Sequence, residues 1–183
     1  MTARVKRRPL WADRNLADVG NAVTAFDNIA AAGAVVQSVF GSYATNADIT
    51  ATIPLDDTIP QIGEGTEIIS VSITPKHADS KLRCRFTGQV QLPEGITAAA
   101  AIFGTANGNG AFGATHVKSP SAAGAGMRSA IGLEAEYLPA VTTAQTVAVR
   151  AGSDGTIRFN GTASVRLFGG VSNATLVVEE IKV

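Results

Sequence analysis

Hydrophobic and polar residues alternate in short runs along most of this chain, most regularly in its last third. From Thr146 onward the period is two on both sides of Asp154-Gly155. Alternation around an Asp-Gly pair is the strongest short-range signal of a β-hairpin, so the sequence predicts one here. Gly169-Gly170 then separates that hairpin from a terminal strand over 175–183.

The same pattern predicts strands further upstream. The clearest run has apolar residues on one face and charged or amide residues on the other: Leu82, Cys84, Phe86 and Val90 against Lys81, Arg83, Arg85 and Gln89. Such alternation is typical of an antiparallel strand with one buried face. Further strands are predicted over 35–43, 49–55, 69–73, 98–103 and 131–138, and loops rich in Gly, Asn, Ser and Pro over 107–112 and 119–126. About nine or ten short strands with regular turns predict a two-sheet sandwich or jelly roll.

The first 34 residues lack the strand-like alternation of the rest of the chain. We therefore expect an N-terminal arm over 1–34 and a head domain over 35–183. A basic cluster ends at Pro9, and Trp11 follows it. Val23, Phe26 and Ile29 are spaced to share one face of a short helix, which would need a partner surface to be stable. The basic cluster is either a solvated, disordered tail or a segment that becomes ordered in a larger assembly.

The composition indicates a surface that is poor in charge. Only 16% of the 183 residues are charged, and 15 basic residues balance 15 acidic ones. An average soluble protein has roughly 25% charged residues. The deficit favours a surface that is partly covered by copies of the same chain, and the zero net charge gives no support to general nucleic-acid binding.

The sequence contains no motif that indicates an enzyme, a cofactor or a metal site. The G-x-G-x-x-G of 108–113 lacks the following helix that a dinucleotide would need, so it is expected to be a loop. His77 and His116 are far apart, and His77 falls in a turn where a solvated side chain is expected. Cys84 cannot form an internal disulfide and is expected to be a small buried hydrophobe.

The sequence also shows no segment that would direct the protein to a membrane or through it. No apolar run approaches the roughly 20 residues that span a bilayer. The basic N-terminus is not followed by the apolar core of a signal peptide. We therefore expect a soluble protein that is made in the cytoplasm and does not insert into a membrane.

Several stretches resemble a known group of proteins. Residues 15–30, from Asn-Leu-Ala-Asp-Val to Asn-Ile-Ala, are similar to the N-L-S-D-V…A-R-x-N-L-G segment before the distal domain of many bacteriophage and prophage fibre proteins, although Ile-Ala-Ala replaces its Leu-Gly. The head is similar to a recurrent phage virion domain at 58–68, 73–76, 81–86, 149–152, 159–161 and 176–181. Such domains are similar in architecture to trimeric jelly rolls of the tumour-necrosis-factor and complement C1q type. The resemblance implies an all-β antiparallel jelly-roll sandwich behind a short extended or helical arm, assembled as a homotrimer.

The resemblance further implies a structural protein of the virion, a head or tail fibre or spike whose knob adheres to the host surface. The arm would bind other virion proteins (capsid, portal or tail), and the predicted anchoring residues are Arg4, Lys6, Arg7, Arg8, Trp11, Leu16 and Val19. The knob would bind a host glycan or receptor, and the predicted contact residues are Asn107, Asn109, Phe112, Ser119 and Ser121, because loops on a rigid scaffold carry recognition. One alternative is a carbohydrate-binding or polysaccharide-degrading head, and another is nucleic-acid binding through the basic cluster.

Overall fold

The computed structural model of this protein describes residues 30–121, 124, 126–162 and 165–183. Contacts divide the chain into two units, 1–31 and 32–183. The predicted short helix and the basic cluster lie outside the described residues. The fold is therefore that of the head.

The described part of the head forms ten strands and two 3₁₀ turns. The strands are β1 (Val35–Tyr43), β2 (Ala47–Ile49), β3 (Thr66–Ile73), β4 (Lys81–Leu92), β5 (Thr97–Gly104), β6 (Gly113–Lys118), β7 (Met127–Tyr137), β8 (Gln145–Ser153), β9 (Ile157–Phe159) and β10 (Ala174–Ile181). The 3₁₀ turns cover Thr105–Asn107 and Phe168–Gly170.

The strands build two antiparallel sheets with jelly-roll connections. One sheet has the order β1-β10-β4-β9-β2, with β7 on the other edge of β4, and the second has the order β3-β8-β5-β6. Without the short β2 and β9, the main strands pair as β1-β10-β4-β7 and β3-β8-β5-β6, and every connection except β5–β6 crosses between the sheets. This is the two-Greek-key arrangement of a jelly roll, so the predicted fold class is confirmed.

The strand registers place the loops at two opposite ends of the sandwich. The chain enters β1 beside the end of β10, where the Gly33 N–H donates to the Lys182 carbonyl at 2.7 Å and the Lys182 N–H to the Ala34 carbonyl at 2.9 Å. The loops 74–80, 105–112 and 138–144 share this entry end. The described residues of the loops 93–96, 119–126, 154–156 and 160–173 lie at the far end.

The core lies between the sheets and follows from the alternation read in the sequence. Leu82, Cys84 and Phe86 of β4 are buried, while Lys81 and Arg85 face outward. Phe159 fills the far end of the core, and Val147 and Val149 close it from the second sheet. Removing these apolar side chains from water is the main stabilising contribution of the fold.

Strand β5 is buried on both faces because the chain covers the outer face of its sheet. Residues 50–65, the covering segment, run across that face and insert Ile53 against Ala99, Ala101 and Phe103. The Arg150 side chain holds the segment by donating to the Glu64 and Gly65 carbonyls at 2.7 and 2.8 Å. Alanines on the outer face of β5 permit this close approach.

The predicted hairpin around Asp154-Gly155 is wrong. Strand β8 pairs with β3 and β5, whereas β9 pairs with β4 and β2 in the other sheet. A type I′ hairpin turn needs positive φ at both central residues, and neither Asp154 nor Gly155 has it. The Asp154 carboxylate instead accepts the Thr97 N–H at 2.7 Å, so the turn carries the chain from one sheet to the other.

The sequence prediction also differs from the structure at β2 and β6. The strand predicted over 49–55 ends at Ile49, because the chain then turns onto the opposite sheet as the covering segment, with Pro54 unable to donate to a ladder. Strand β6 was missed, because its Ala, Thr and His residues carry little hydrophobic signal. Strand β6 forms by pairing with β5, and this pairing cannot be predicted from the sequence alone.

Candidate functional site

The predicted receptor residues do not form one surface. Asn107, Asn109 and Phe112 belong to the β5–β6 loop at the entry end, whereas Ser119 and Ser121 belong to the β6–β7 loop at the far end. The antiparallel pairing of Thr97 with Lys118 and of Ile102 with Gly113 fixes this separation. A single receptor contact therefore cannot use both loops of one chain.

The β5–β6 loop is braced by the rest of the head. The Asn107 amide donates to the Gly110 carbonyl at 2.7 Å, and the Asn109 carbonyl accepts the Ile62 N–H of the covering segment at 2.8 Å. The Phe112 ring is half-buried and lies 4.4 Å, centroid to centroid, from the Tyr137 ring. These contacts tie the loop to the covering segment and to β7, although Asn107 and Asn109 remain exposed.

In the β6–β7 loop, only one of the two predicted serines is accessible. Ser119 is 2% exposed, and its hydroxyl donates to the Pro93 carbonyl. Ser121 is exposed. The predicted anchoring residues, Arg4, Lys6, Arg7, Arg8, Trp11, Leu16 and Val19, all lie outside the described residues.

The far end carries a groove that the sequence analysis did not single out. It has a volume of about 430 Å³ and runs between the outer faces of β4 and β7 and the loop 165–172. Its lining residues are Gln89, Val90, Gln91, Arg128, Gly161, Leu167, Phe168, Val171 and Ser172. Pockets for small ligands typically measure about 300 to 1,000 Å³ and combine apolar walls with a few polar groups.

The apolar wall of this groove is an unusual turn. Phe168, Gly169 and Gly170 all have positive φ, at 50°, 61° and 92°. Left-handed backbone disfavours a bulky residue, and such strain concentrates at functional sites. The Phe168 side chain is nevertheless 77% exposed, so the turn presents an aromatic ring to solvent beside Val171.

A buried asparagine anchors the loop that carries this turn. Asn160 is fully buried, has φ 59°, and donates from its side-chain amide to the Tyr43 carbonyl at 2.7 Å and the Thr45 carbonyl at 3.2 Å. Its N–H donates to the Gln89 carbonyl at 3.1 Å. These bonds fix the start of the loop against β4 and the β1–β2 connection.

The polar floor of the groove has unused hydrogen-bonding capacity. The side chains of Gln89, Gln91 and Arg128 make no hydrogen bond or ion pair within the described part of the chain, and none of the described lining residues is acidic. Gln91 also borders a second depression of about 160 Å³, beside Pro93 and the ion pair of Arg158 with Asp48. The two depressions therefore form one extended surface.

At the entry end, a buried carboxylate joins three parts of the head. Glu180 of β10 is 0% exposed, and it accepts the Lys76 N–H at 2.9 Å, the His77 N–H at 3.0 Å and the Gln37 amide at 2.6 Å. Burial by itself raises the pKa of Glu180, but these donors outweigh it and leave the pKa below its usual value. The expectation that His77 is solvated is wrong, because its turn is folded over Glu180 and it is half-buried.

The outer face of the β1-β10-β4-β7 sheet combines ion pairs with an exposed aromatic ring. Arg83 Nε lies 2.8 Å from Glu136 Oε1, and Arg85 Nη2 lies 3.0 Å from Glu179 Oε1. Phe40 of β1 is 65% exposed and pairs with Val177 of β10, which pairs in turn with Arg85 of β4. Within the described chain, the loop 165–172 reaches this face beside β4 and β7 at the far end, and no described segment crosses β1 and β10 as residues 50–65 cross the other sheet.

The cysteine of the chain lies in the core of the head. Burial raises the pKa of the Cys84 thiol to about 12, so the side chain is a neutral core residue, as predicted. No group of three or more possible metal ligands occurs within the ranges described above. Those ranges also contain no helix that is long and apolar enough to cross a membrane.

No protein-family model matches the sequence, and no curated protein matches it. Among solved structures, the fold is similar to dimeric latent PorU from Porphyromonas gingivalis, with 10% identity and a TM-score of 0.34 over 84% of this chain and 14% of that chain. It is also similar to the VP2 subviral particle of infectious bursal disease virus, with 11% identity and a TM-score of 0.31 over 81% and 39% of the two chains. The structure of the Gx strain of that virus is similar as well, with 12% identity and a TM-score of 0.31 over 80% of this chain and 38% of that chain. The chain thus spans only a minor part of each of these proteins, and similarities this low carry no argument about function.

Proposed function

We propose that this chain is a non-enzymatic structural protein of a bacteriophage or phage-like virion, a fibre or spike. Its N-terminal arm binds other virion proteins, and its jelly-roll head forms a trimeric knob that adheres to the host surface. The observation that carries the proposal is that the two ends of the head differ. The chain enters at one end, and the opposite end presents an open groove with an exposed aromatic ring.

A trimer is supported by the sheet face that the described part of the chain leaves open over β1 and β10. The covering segment occupies the outer face of the other sheet, whereas Phe40 and Val177 remain on the outside of β1 and β10. Together with the low charge content, an exposed aromatic ring in mid-strand favours burial against another copy. The β1 side of this face is the proposed contact between subunits.

Replacing Phe40 with aspartate is expected to convert the trimer to monomers while leaving the fold intact. A charge at a buried contact costs about 2 kcal/mol or more at each interface, and Phe40 contributes little to the core of its own subunit. Sedimentation equilibrium and thermal unfolding of the full chain measure the two effects. Ser72→Asp, on the outer face of the other sheet, is the matched control and should remain trimeric. A wild-type chain that sediments as a stable monomer would contradict the proposal.

Location in a virion has its own test. An antibody raised against residues 35–183 should label appendages on purified particles in electron micrographs. Particles that carry no label, from cells that make the protein, would rule out this role.

The groove favours binding of a host glycan over its degradation. Glycoside hydrolysis needs two carboxyl groups that flank the scissile bond, about 5 to 9.5 Å apart. None of the described residues that line the larger depression is acidic, and in the second one Asp48 is paired with Arg158. The polysaccharide-degrading alternative therefore has less support than adhesion.

A further inference from the structure

From the groove at the far end we infer a binding site for an oligosaccharide that carries a carboxylate. The inference rests on the proposed function and adds to it a location and a ligand class. It places recognition at Gln89, Gln91, Arg128 and Phe168, away from the β5–β6 loop that the sequence suggested.

The polar floor matches the hydrogen-bonding groups of an acidic sugar. Side-chain amides donate and accept at once, as vicinal hydroxyl groups do, and Gln89 and Gln91 lie on the same face of β4, two residues apart. Arg128 stands on the neighbouring strand opposite Gln91. The Arg128 guanidinium is the charged group of the floor, and it has no ion-pair partner within the described residues. Its N–H donors can form two parallel hydrogen bonds with the two oxygens of a carboxylate.

The apolar wall matches the other face of a sugar ring. Pyranose rings expose C–H groups on one face, and these pack on aromatic side chains. Phe168 offers such a ring at 77% exposure, held in left-handed backbone by a loop that Asn160 anchors. An aromatic side chain provides a large contact area at little cost in conformational entropy.

The shape of the surface favours a chain over a compact ligand. The two depressions share Gln91, and together they extend from Phe168 past Pro93 towards Arg158. Both are open to solvent, as a site must be if a polymer on a cell surface is to lie across it. A nucleic acid fits less well, because it presents a phosphate at every nucleotide and the described lining of the groove offers a single guanidinium without an ion-pair partner.

The test uses the full-length chain and matched pairs of ligands. Uronic-acid oligosaccharides of several linkages and sialylated oligosaccharides are titrated calorimetrically, each as the free acid and as its methyl ester. We expect the acid of at least one pair to bind about tenfold more tightly than its ester, since a charge-assisted hydrogen bond is worth roughly that factor. Arg128→Gln should remove the difference between acid and ester. Phe168→Ala should weaken the binding of both.

Two control variants locate the effect. Lys118→Gln removes another exposed cation at the far end, and Leu55→Ala removes another exposed apolar side chain, and both should bind as the wild type does. Equal affinity for acid and ester, loss of binding in the controls, or no binding across the panel overturns the inference.

Sedimentation of the same samples separates this inference from the proposed trimer. If Phe168→Ala changes the oligomeric state, the groove is covered by a second copy and the glycan site is wrong. If the wild type is monomeric yet binds acidic oligosaccharides through Arg128, the site stands and the trimeric knob does not.

Discussion

Replacement of Glu180 by alanine is expected to lower the free energy of unfolding by about 3 to 5 kcal/mol. The buried carboxylate accepts hydrogen bonds from the N–H groups of Lys76 and His77 and from the Gln37 amide. Truncation leaves these donors without their acceptor at a site where the replaced side chain was 0% exposed. Urea denaturation at neutral pH measures the loss, which is a large part of the 5 to 15 kcal/mol of a typical domain.

The same carboxylate makes stability depend on pH in a predictable direction. The pKa of Glu180 in the folded head lies below its ordinary value of 4.5, so the unfolded chain takes up a proton at higher pH than the folded chain does. Its contribution to stability is complete above pH 4.5 and is lost as the pH falls through the lower pKa of the folded state. In Glu180→Gln, the unfolding midpoint should therefore change less with pH in the acid range than in the wild type.

Glu179 is the matched control for both measurements. It is the neighbouring carboxylate on β10, and it faces the opposite side of the sheet, where it pairs with the half-exposed Arg85. The Arg85 end of this pair is 48% exposed, and an ion pair that solvent reaches contributes about 0 to 1 kcal/mol, so Glu179→Ala should cost far less than Glu180→Ala. Equal losses in the two variants would show that the network around Glu180 does not hold β1, β10 and the 74–80 turn together.

The sequence predicts the strands of this head far better than their partners. The period of two in β4 and β10 follows from one buried face, which is a local property, and both strands were predicted. The pairing of β8 with β3 and β5 involves residues far away in the chain. Asp154-Gly155 therefore looked like a hairpin although both edges of β8 were already occupied.

The groove could not be predicted because its parts come from distant segments. Gln89 and Arg128 meet only through the pairing of β4 with β7, and Phe168 reaches them only because residues 165–172 fold back over the sheet. The one local signal was a large aromatic residue directly before Gly169-Gly170, a place where a buried side chain is not expected. The sequence did not indicate that Glu180 is buried, since two consecutive glutamates are normally expected on the surface.

Gly152→Ala is expected to destabilise the head by about 2 kcal/mol through overpacking. A Cβ atom at this position would lie 2.7 Å from Ile53 Cγ1 and 2.9 Å from the Thr52 carbonyl carbon. Because backbone of the covering segment is among the groups in contact, no simple side-chain rotation relieves the clash. The segment must move away from β8, which also loosens Ile53 from its contacts with Ala99 and Phe103. Thermal unfolding measures the loss, and limited proteolysis within 54–63 should become faster.

Gly132→Ala provides the contrast that isolates the role of space at Gly152. Gly132 also lies within a strand, but a Cβ atom there would meet its nearest neighbour, the Phe86 carbonyl oxygen, at an ordinary 3.6 Å. Alanine restricts the unfolded chain at both positions, which stabilises by about 0.4 to 1 kcal/mol where the folded state accommodates it. Gly132→Ala should therefore be neutral or stabilising. If Gly152→Ala behaved in the same way, the covering segment would not be held tightly against β8, and the burial of β5 on both faces would need another cause.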